Sequence, residues 1–188
     1  EILQQNRILN AIKTASVKKL LGEFKKMGED ADKAKKTEEA NRSEDEKKAI
    51  EKWNKFVKNY NRPMKEGLYS DYSNRDEIAE IVRFKSTDAS GTGEDNYTSF
   101  AEYVKRMKSE QKAIYYITGS DEKNMRANPL LKAYVNKGFE VLILDDDIDE
   151  VVIGGYGKYK DFELKAVNRS GSDEDLGIDK EEAKKKEE

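Results

Sequence analysis

No cysteine and no histidine occur among the 188 residues of this chain. Their absence removes disulfides, thiolate nucleophiles, Ser-His-Asp catalysis and the usual Cys/His zinc sites. A cysteine-free sequence also suits a reducing compartment, so the expected location is cytoplasmic. No apolar run approaches the ~20 residues that span a bilayer, and no signal-peptide pattern opens the chain, so a membrane partner is not expected. An excess of one charge is missing as well. The 36 basic and 39 acidic side chains leave a net charge of -3, and without a large basic field nucleic acid is not an expected partner. Large apolar residues are few. The hydrophobic fraction is 36% and the charged fraction 40%, so the core must be compact and the surface densely charged. The chain opens on Glu1 inside an apparent helix or loop and is expected to be part of something longer.

What is present is organised around residues 113–149. Two short apolar runs, Ile114-Tyr-Tyr-Ile117 and Val141-Leu-Ile-Leu144, flank an amphipathic segment. Strand, helix and strand over this length predict a βαβ unit with buried parallel strands. Asn128 followed by Pro129 predicts a capped helix start, because the missing proline N–H costs nothing at the first helical position. Leu130, Leu131, Tyr134 and Val135 would face the sheet, and Gly138 would close the helix.

Upstream, Ile8 or Leu9, Ile12, Leu20, Phe24 and Met27 recur at helical spacing and predict one apolar stripe, with Gly28 as a stop. Residues 29–41 carry no large apolar side chain and read as a solvated helix or loop. Ser43 and Glu46 have capping-box spacing. They open a helix whose buried face would be Ala49, Ile50, Trp53, Phe56, Val57 and Tyr60, ended by Pro63. A third helix is expected after Ser73, with Ile78, Ile81 and Val82 inward. Ser99 and Glu102 suggest a second capping box before a short helix carrying Phe100, Tyr103, Val104 and Met107. Beyond Asp149, Gly154, Gly155 and Gly157 argue against a long helix. Residues 162–167 alternate like a final strand. From Ser170 onward charged residues dominate, and disorder or a frayed helix is expected.

Three features could carry chemistry. Asp145, Asp146, Asp147, Asp149 and Glu150 follow a strand, where open α/β sheets bind ligands, and carboxylates there could hold Mg²⁺ or Ca²⁺. The plainer reading is a helix N-terminus whose acids complement the macrodipole. Thr118-Gly119-Ser120 with Lys123 lacks the spacing of a phosphate loop and reads as a capped strand-to-helix turn. Gln4, Gln5, Asn6 and Arg7 could reach a phosphate or, more simply, decorate a helix start. On residues alone, a metal-dependent α/β enzyme and an adaptor module both stay open.

A resemblance narrows these readings. Glu1-Ile-Leu-Gln-Gln-Asn-Arg-Ile-Leu9, Arg83-Phe-Lys-Ser-Thr87, Tyr103-Val-Lys-Arg-Met107, Ile114-Tyr-Tyr-Ile-Thr-Gly119, Lys137-Gly-Phe-Glu-Val-Leu142 and Ile148-Asp-Glu150 follow one another as in the heat-shock protein 90 chaperones. The stretch from Arg83 to Met107 is most similar to the bacterial branch. The resemblance covers about residues 1–165 and implies the C-terminal half of the middle domain. The implied fold is α/β: a helical connector at 1–66, a small α/β/α three-layer subdomain with a short, mostly parallel sheet at 67–167, and a charged tail at 168–188.

The resemblance also implies an ATP-dependent, homodimeric chaperone acting on unfolded or partly folded client proteins. ATP and Mg²⁺ would bind in a separate N-terminal domain and dimerisation would use a C-terminal one. This segment alone would be monomeric and without ATPase activity. The family's γ-phosphate-binding arginine would stand immediately before Glu1. The family glutamine that comes next maps onto Gln4, which would support that contact. Client-contact positions map onto Glu150 and Val151, where Val151 stands in place of a frequent aromatic residue.

Overall fold

The computed structural model describes residues 6–89, 92, 95–169 and 176. The chain divides into two compact units, Glu1–Val82 and Arg83–Glu188.

The first unit is helical. Asn6 caps α1 (Arg7–Lys35) by accepting from the Ile8 N–H at 2.9 Å. A 3-10 turn (Glu39–Asn41) leads to α2 (Glu44–Ser70). The capping box expected at Ser43 and Glu46 is formed in both directions, and Thr37 Oγ1 also donates to Glu46 at 2.8 Å. Phe24 packs near Phe56 while Thr37 meets Glu46, so α1 and α2 run antiparallel.

Several expectations are corrected by this unit. Gly28 does not stop α1, which continues to Lys35, so the helical alternative for the start of residues 29–41 holds. Its buried positions are Leu21, Gly28, Ala31 and Ala34, whereas Ile8, Leu9, Ile12 and Leu20 are exposed. Small residues form the seam because they let the two helices approach closely. Pro63 lies inside α2 and does not end it. A mid-helix proline costs about 3 kcal/mol or more, and packing of the last turns of α2 offsets that cost. Leu68 is buried, and Gly67 lies so close to α3 (Arg75–Ala79) that an added Cβ would sit 2.9 Å from Ile78 Cδ1. Consequently the expected boundary after residue 66 falls within a helix, and the compact units part after Val82. Asn74, not Ser73, precedes α3. Trp53 and Val57 are buried as expected, whereas Tyr60 is exposed.

The second unit contains β1 (Lys85–Ser86), α4 (Phe100–Arg106), β2 (Ala113–Thr118), α5 (Glu122–Ala127), α6 (Pro129–Asn136), β3 (Val141–Leu144), α7 (Asp149–Tyr156), β4 (Lys158–Tyr159) and β5 (Phe162–Ala166). The sheet order is β1-β3-β2-β5-β4. Its three central strands are parallel, with Tyr115 level with Val141 on one side and Lys165 on the other. Both edge pairings are antiparallel. The predicted βαβ unit is therefore present, and its crossover holds two helices rather than one.

Strand alternation distributes the core. Ala113, Tyr115, Ile117, Val141 and Ile143 meet Met125 of α5 and Leu131 and Tyr134 of α6. Ile114, Tyr116, Leu142 and Leu144 are equally buried and point the other way. Phe100 of α4 joins Phe84, Tyr156 and Tyr159 in a second aromatic cluster. Leu130 and Val135, expected to face the sheet, are exposed. Gly138 does end α6, at φ 83°, a left-handed conformation that favours glycine. Of the charged tail, only residues 168, 169 and 176 are described, and Leu176 packs against the α5/α6 side of the core.

Two polar arrangements lock this unit. The Tyr103 hydroxyl donates to the Glu140 carbonyl at 2.6 Å and accepts from the Tyr115 N–H at 2.9 Å and Gln111 Nε2 at 2.8 Å. It acts as an inserted rung joining β2 to the entry of β3. The Glu140 carboxylate accepts from Arg106 Nε and an Arg106 terminal nitrogen, both at 2.9 Å, and from the Ser86 hydroxyl. Arg106 also donates to Thr98 Oγ1 at 2.7 Å.

Candidate functional site

The carboxyl ends of parallel strands are the usual ligand edge of an α/β sheet. Here that edge is closed by charge pairing. Lys85 Nζ lies 2.8 Å from both Glu122 Oε2 and Asp145 Oδ2, and Arg126 lies 2.8 Å from Glu122 Oε1. Burial pulls the Lys85 pKa down, but the bonds to Asp145 and Glu122 outweigh it and hold Lys85 above the usual lysine range. The hydrogen bond from Lys85 holds the Glu122 carboxyl below its ordinary value. The Gly119 N–H donates to the Leu144 carbonyl at 3.1 Å, and a Cβ on Gly119 would lie 2.9 Å from Met125 Cγ. This turn is used in sheet closure and packing, and it offers no cradle for a phosphate. Asp121 caps α5 through the Asn124 N–H, as expected of a capped strand-to-helix turn.

The acidic run after β3 behaves in the same way. Asp145 is paired with Lys85, and Asp149 is fully buried, accepting from the Asp146 N–H at 3.1 Å. Asp149 and Glu150 occupy the first turn of α7, where negative charge complements the helix dipole. Among the described residues no group of three or more acidic side chains is arranged to hold a metal ion.

Helix α7 is anchored along one side by Val152, Ile153 and Tyr156. The opposite side consists of Glu150, Val151, Gly154 and Gly155, all exposed. Val151 is 60% exposed, and a Cβ added at Gly154 would meet nothing within 4 Å. The helix thus presents one apolar side chain beside bare backbone, with a carboxylate at its start. Glu150 contributes to the electrostatics around Tyr116. Burial raises that hydroxyl's pKa, Arg169 opposes the rise, and Glu150 adds to it. The glycines of this segment argue against a long helix, and the helix is short. It runs for eight residues, held by three buried inward side chains, and Gly157 at φ 70° supplies the left-handed stop.

The Hsp90 protein family model matches residues 1–188. The chain belongs to the Hsp90 family. A chaperone protein HtpG from Treponema denticola is 58% identical over 189 residues, covering 100% of this chain and 27% of that protein. Another HtpG, from Treponema pallidum, is 51% identical over 176 residues, covering 94% of this chain and 25% of that protein. This Hsp90-family chain therefore spans about a quarter of the length of the curated relatives it matches. Among solved structures, the middle domain of a Plasmodium falciparum putative heat shock protein aligns with a TM-score of 0.69 at 27% identity, covering 88% of this chain and 61% of that one. The α/β architecture and the middle-domain assignment expected from sequence both agree with these matches.

The site residues expected for an Hsp90-family chain fare differently. Glu150 and Val151 lie together on the outward side of α7. Gln4 lies outside the described residues. Gly154 and Gly155 read in the sequence only as helix breakers. Their helical spacing from Glu150 and Val151 is the signal that places all four on one face. Among the described residues no helix is long and apolar enough to cross a membrane.

Proposed function

We propose that this chain is the middle-domain segment of an ATP-driven, cytoplasmic, homodimeric chaperone, supplying client and interdomain surface rather than the nucleotide pocket. The observation that carries this reading is the outward side of α7, where Val151 stands exposed on a helix rigidly anchored by its other side. An apolar side chain held away from its own core can contact the apolar residues of an unfolded chain. ATP and Mg²⁺ belong to another part of the full-length protein in this reading. The Lys85-Glu122-Asp145 pairing and the packed Gly119 turn favour that placement, since neither is shaped to receive phosphates.

Two tests bear on the proposal. With a fluorescently labelled, permanently unfolded protein as client, Val151→Asp is expected to weaken binding about fivefold, the loss of part of one valine's burial. The melting curve should be unchanged because Val151 touches solvent. Equal affinity of the two chains would remove α7 from the client surface. In the full-length protein, Gln4→Ala is expected to lower ATP turnover about two- to tenfold, since a neutral amide adds only one ordinary hydrogen bond. A turnover that does not change would end the supporting role assigned to Gln4.

A further inference from the structure

The first unit carries a surface that the α7 reading does not use. Between α1 and α2 runs an open groove of about 660 Å³. Its floor includes Phe24, Met27, Phe56 and Tyr60. The rings of Phe24, Phe56 and Tyr60 form a ladder, with centroids 4.7 Å and 5.3 Å apart at successive steps. Tyr60 remains 54% exposed although it ends this ladder, and Leu20 is 53% exposed one turn before Phe24.

The walls differ in charge. On the α2 side stand Lys52 and Lys55, and on the α1 side stand Glu23 and Asp30, with Lys26 between them. None of these five charged groups forms an ion pair with another described residue, although Glu23 with Lys26 and Lys26 with Asp30 have the spacing to do so. We infer that this groove is a docking site for an amphipathic helix of a partner protein, one whose apolar stripe has acidic residues along one edge and basic residues along the other.

Geometry favours a helix over an extended strand. Two antiparallel helices side by side leave a valley that a third fills with its ridge, at an interaxial distance of about 8–10 Å. The α2 floor from Ala49 to Tyr60 spans about eleven steps, about 16 Å at ~1.5 Å each, or about three helical turns. An apolar stripe at i, i+4, i+7 and i+11 matches that length. The unequal walls also set the direction of the occupant, since only one orientation brings its acidic edge to Lys52 and Lys55. A helix with two acidic edges meets Glu23 and Asp30, and one with two basic edges meets the lysines.

Trp53 provides the readout. It is the only tryptophan, is 1% exposed, and stacks on Phe56 at 5.1 Å and 12°. The probe is a helix-stabilised peptide of about 14 residues with leucines at the four stripe positions, glutamates on one edge and lysines on the other. It is expected to change Trp53 emission saturably. Peptides with both edges lysine or both edges glutamate, and a peptide broken by a central proline, should bind at least tenfold more weakly. The exposed-wall variant Lys52→Glu/Lys55→Glu should weaken the mixed-edge peptide at least tenfold and improve the all-lysine one, with its fold checked by circular dichroism. No saturable change, equal binding of the proline peptide, or an affinity unaffected by the wall variant would each overturn the inference. Since the surface is assigned from the groove's own charges, its failure leaves the α7 client reading intact, and the unfolded-client assay above reports on that separately.

Discussion

Tyr103→Phe is expected to destabilise the sheet-containing unit by about 2–4 kcal/mol, lowering its melting temperature on the order of 10 °C. The variant removes one oxygen and almost no volume, so packing is not the cause. The hydroxyl uses its whole bonding capacity, one hydrogen donated to the Glu140 carbonyl and two accepted from Tyr115 N–H and Gln111 Nε2. Removing it leaves a strand N–H, a carbonyl and a carboxamide hydrogen in the interior without that partner. A buried polar group so stranded costs about 1–3 kcal/mol. The same burial raises the Tyr103 pKa well above the ordinary tyrosine value. In the unfolded chain this phenol ionises near pH ~10, while in the folded chain it stays protonated. Between those two pKa values the folded state holds more protons, so stability falls as pH rises through this window. Ultraviolet titration of wild type, which has ten tyrosines, should show a late-ionising component that is smaller by one tyrosine in Tyr103→Phe. Melting curves that coincide at neutral pH would refute the rung assigned to this hydroxyl.

Glu140→Ala is expected to cost about 2–3 kcal/mol. Removing one member of a fully buried ion pair costs about 3–5 kcal/mol, and the lower figure allows for the partial exposure of the partner. The Glu140 side chain is 9% exposed and that of Arg106 28%. Burial opposes the charge on Arg106, but the Glu140 hydrogen bonds outweigh this and raise its pKa. The carboxylate also takes the Ser86 hydroxyl, so one side chain ties α4, β1 and the start of β3 together. Its loss should be felt first at the edge. Hydrogen exchange at the Phe84 and Thr98 amides, which bond each other's carbonyls at 2.9 Å and 2.8 Å, should accelerate before the central strands respond. A double-mutant cycle with Arg106→Ala isolates the pair. If coupling is near zero and exchange at Phe84 is unchanged, Glu140 does not clasp these elements.

Much of the sheet-containing unit was legible because its signals were local. The runs at Ile114–Ile117 and Val141–Leu144 are apolar over the length of a buried strand, and Asn128-Pro129 names a helix start outright. The helical unit was less legible. Apart from Leu21, the buried positions of α1 are Gly28, Ala31 and Ala34, residues too small to register in a hydrophobic pattern. The conspicuous stripe of Ile8, Ile12 and Leu20 is exposed instead. Pro63 misleads as a helix end, whereas the α7 glycines rightly limit the length of their helix. Local propensity at Pro63 is overridden by the packing of Leu68 and Gly67. Of the candidate site, Glu150 and Val151 were placed by resemblance, and the glycine face beside them needed the helix to be seen. The Tyr103 and Glu140 contacts join residues 37 and 34 positions apart, a separation at which no periodicity speaks.

The sheet ends on both sides in strands of two residues, β1 and β4. Long open edges recruit extended polypeptide by backbone pairing, the route by which sheets nucleate fibrils. Here one edge is occupied by the Phe84–Thr98 bridge, and the other turns at Lys160 with φ 52°. Short, occupied margins leave an extended polypeptide little free backbone to pair with. Any contact this sheet makes with such a polypeptide therefore falls to side chains, and its margins do not offer a template on which a fibril could grow.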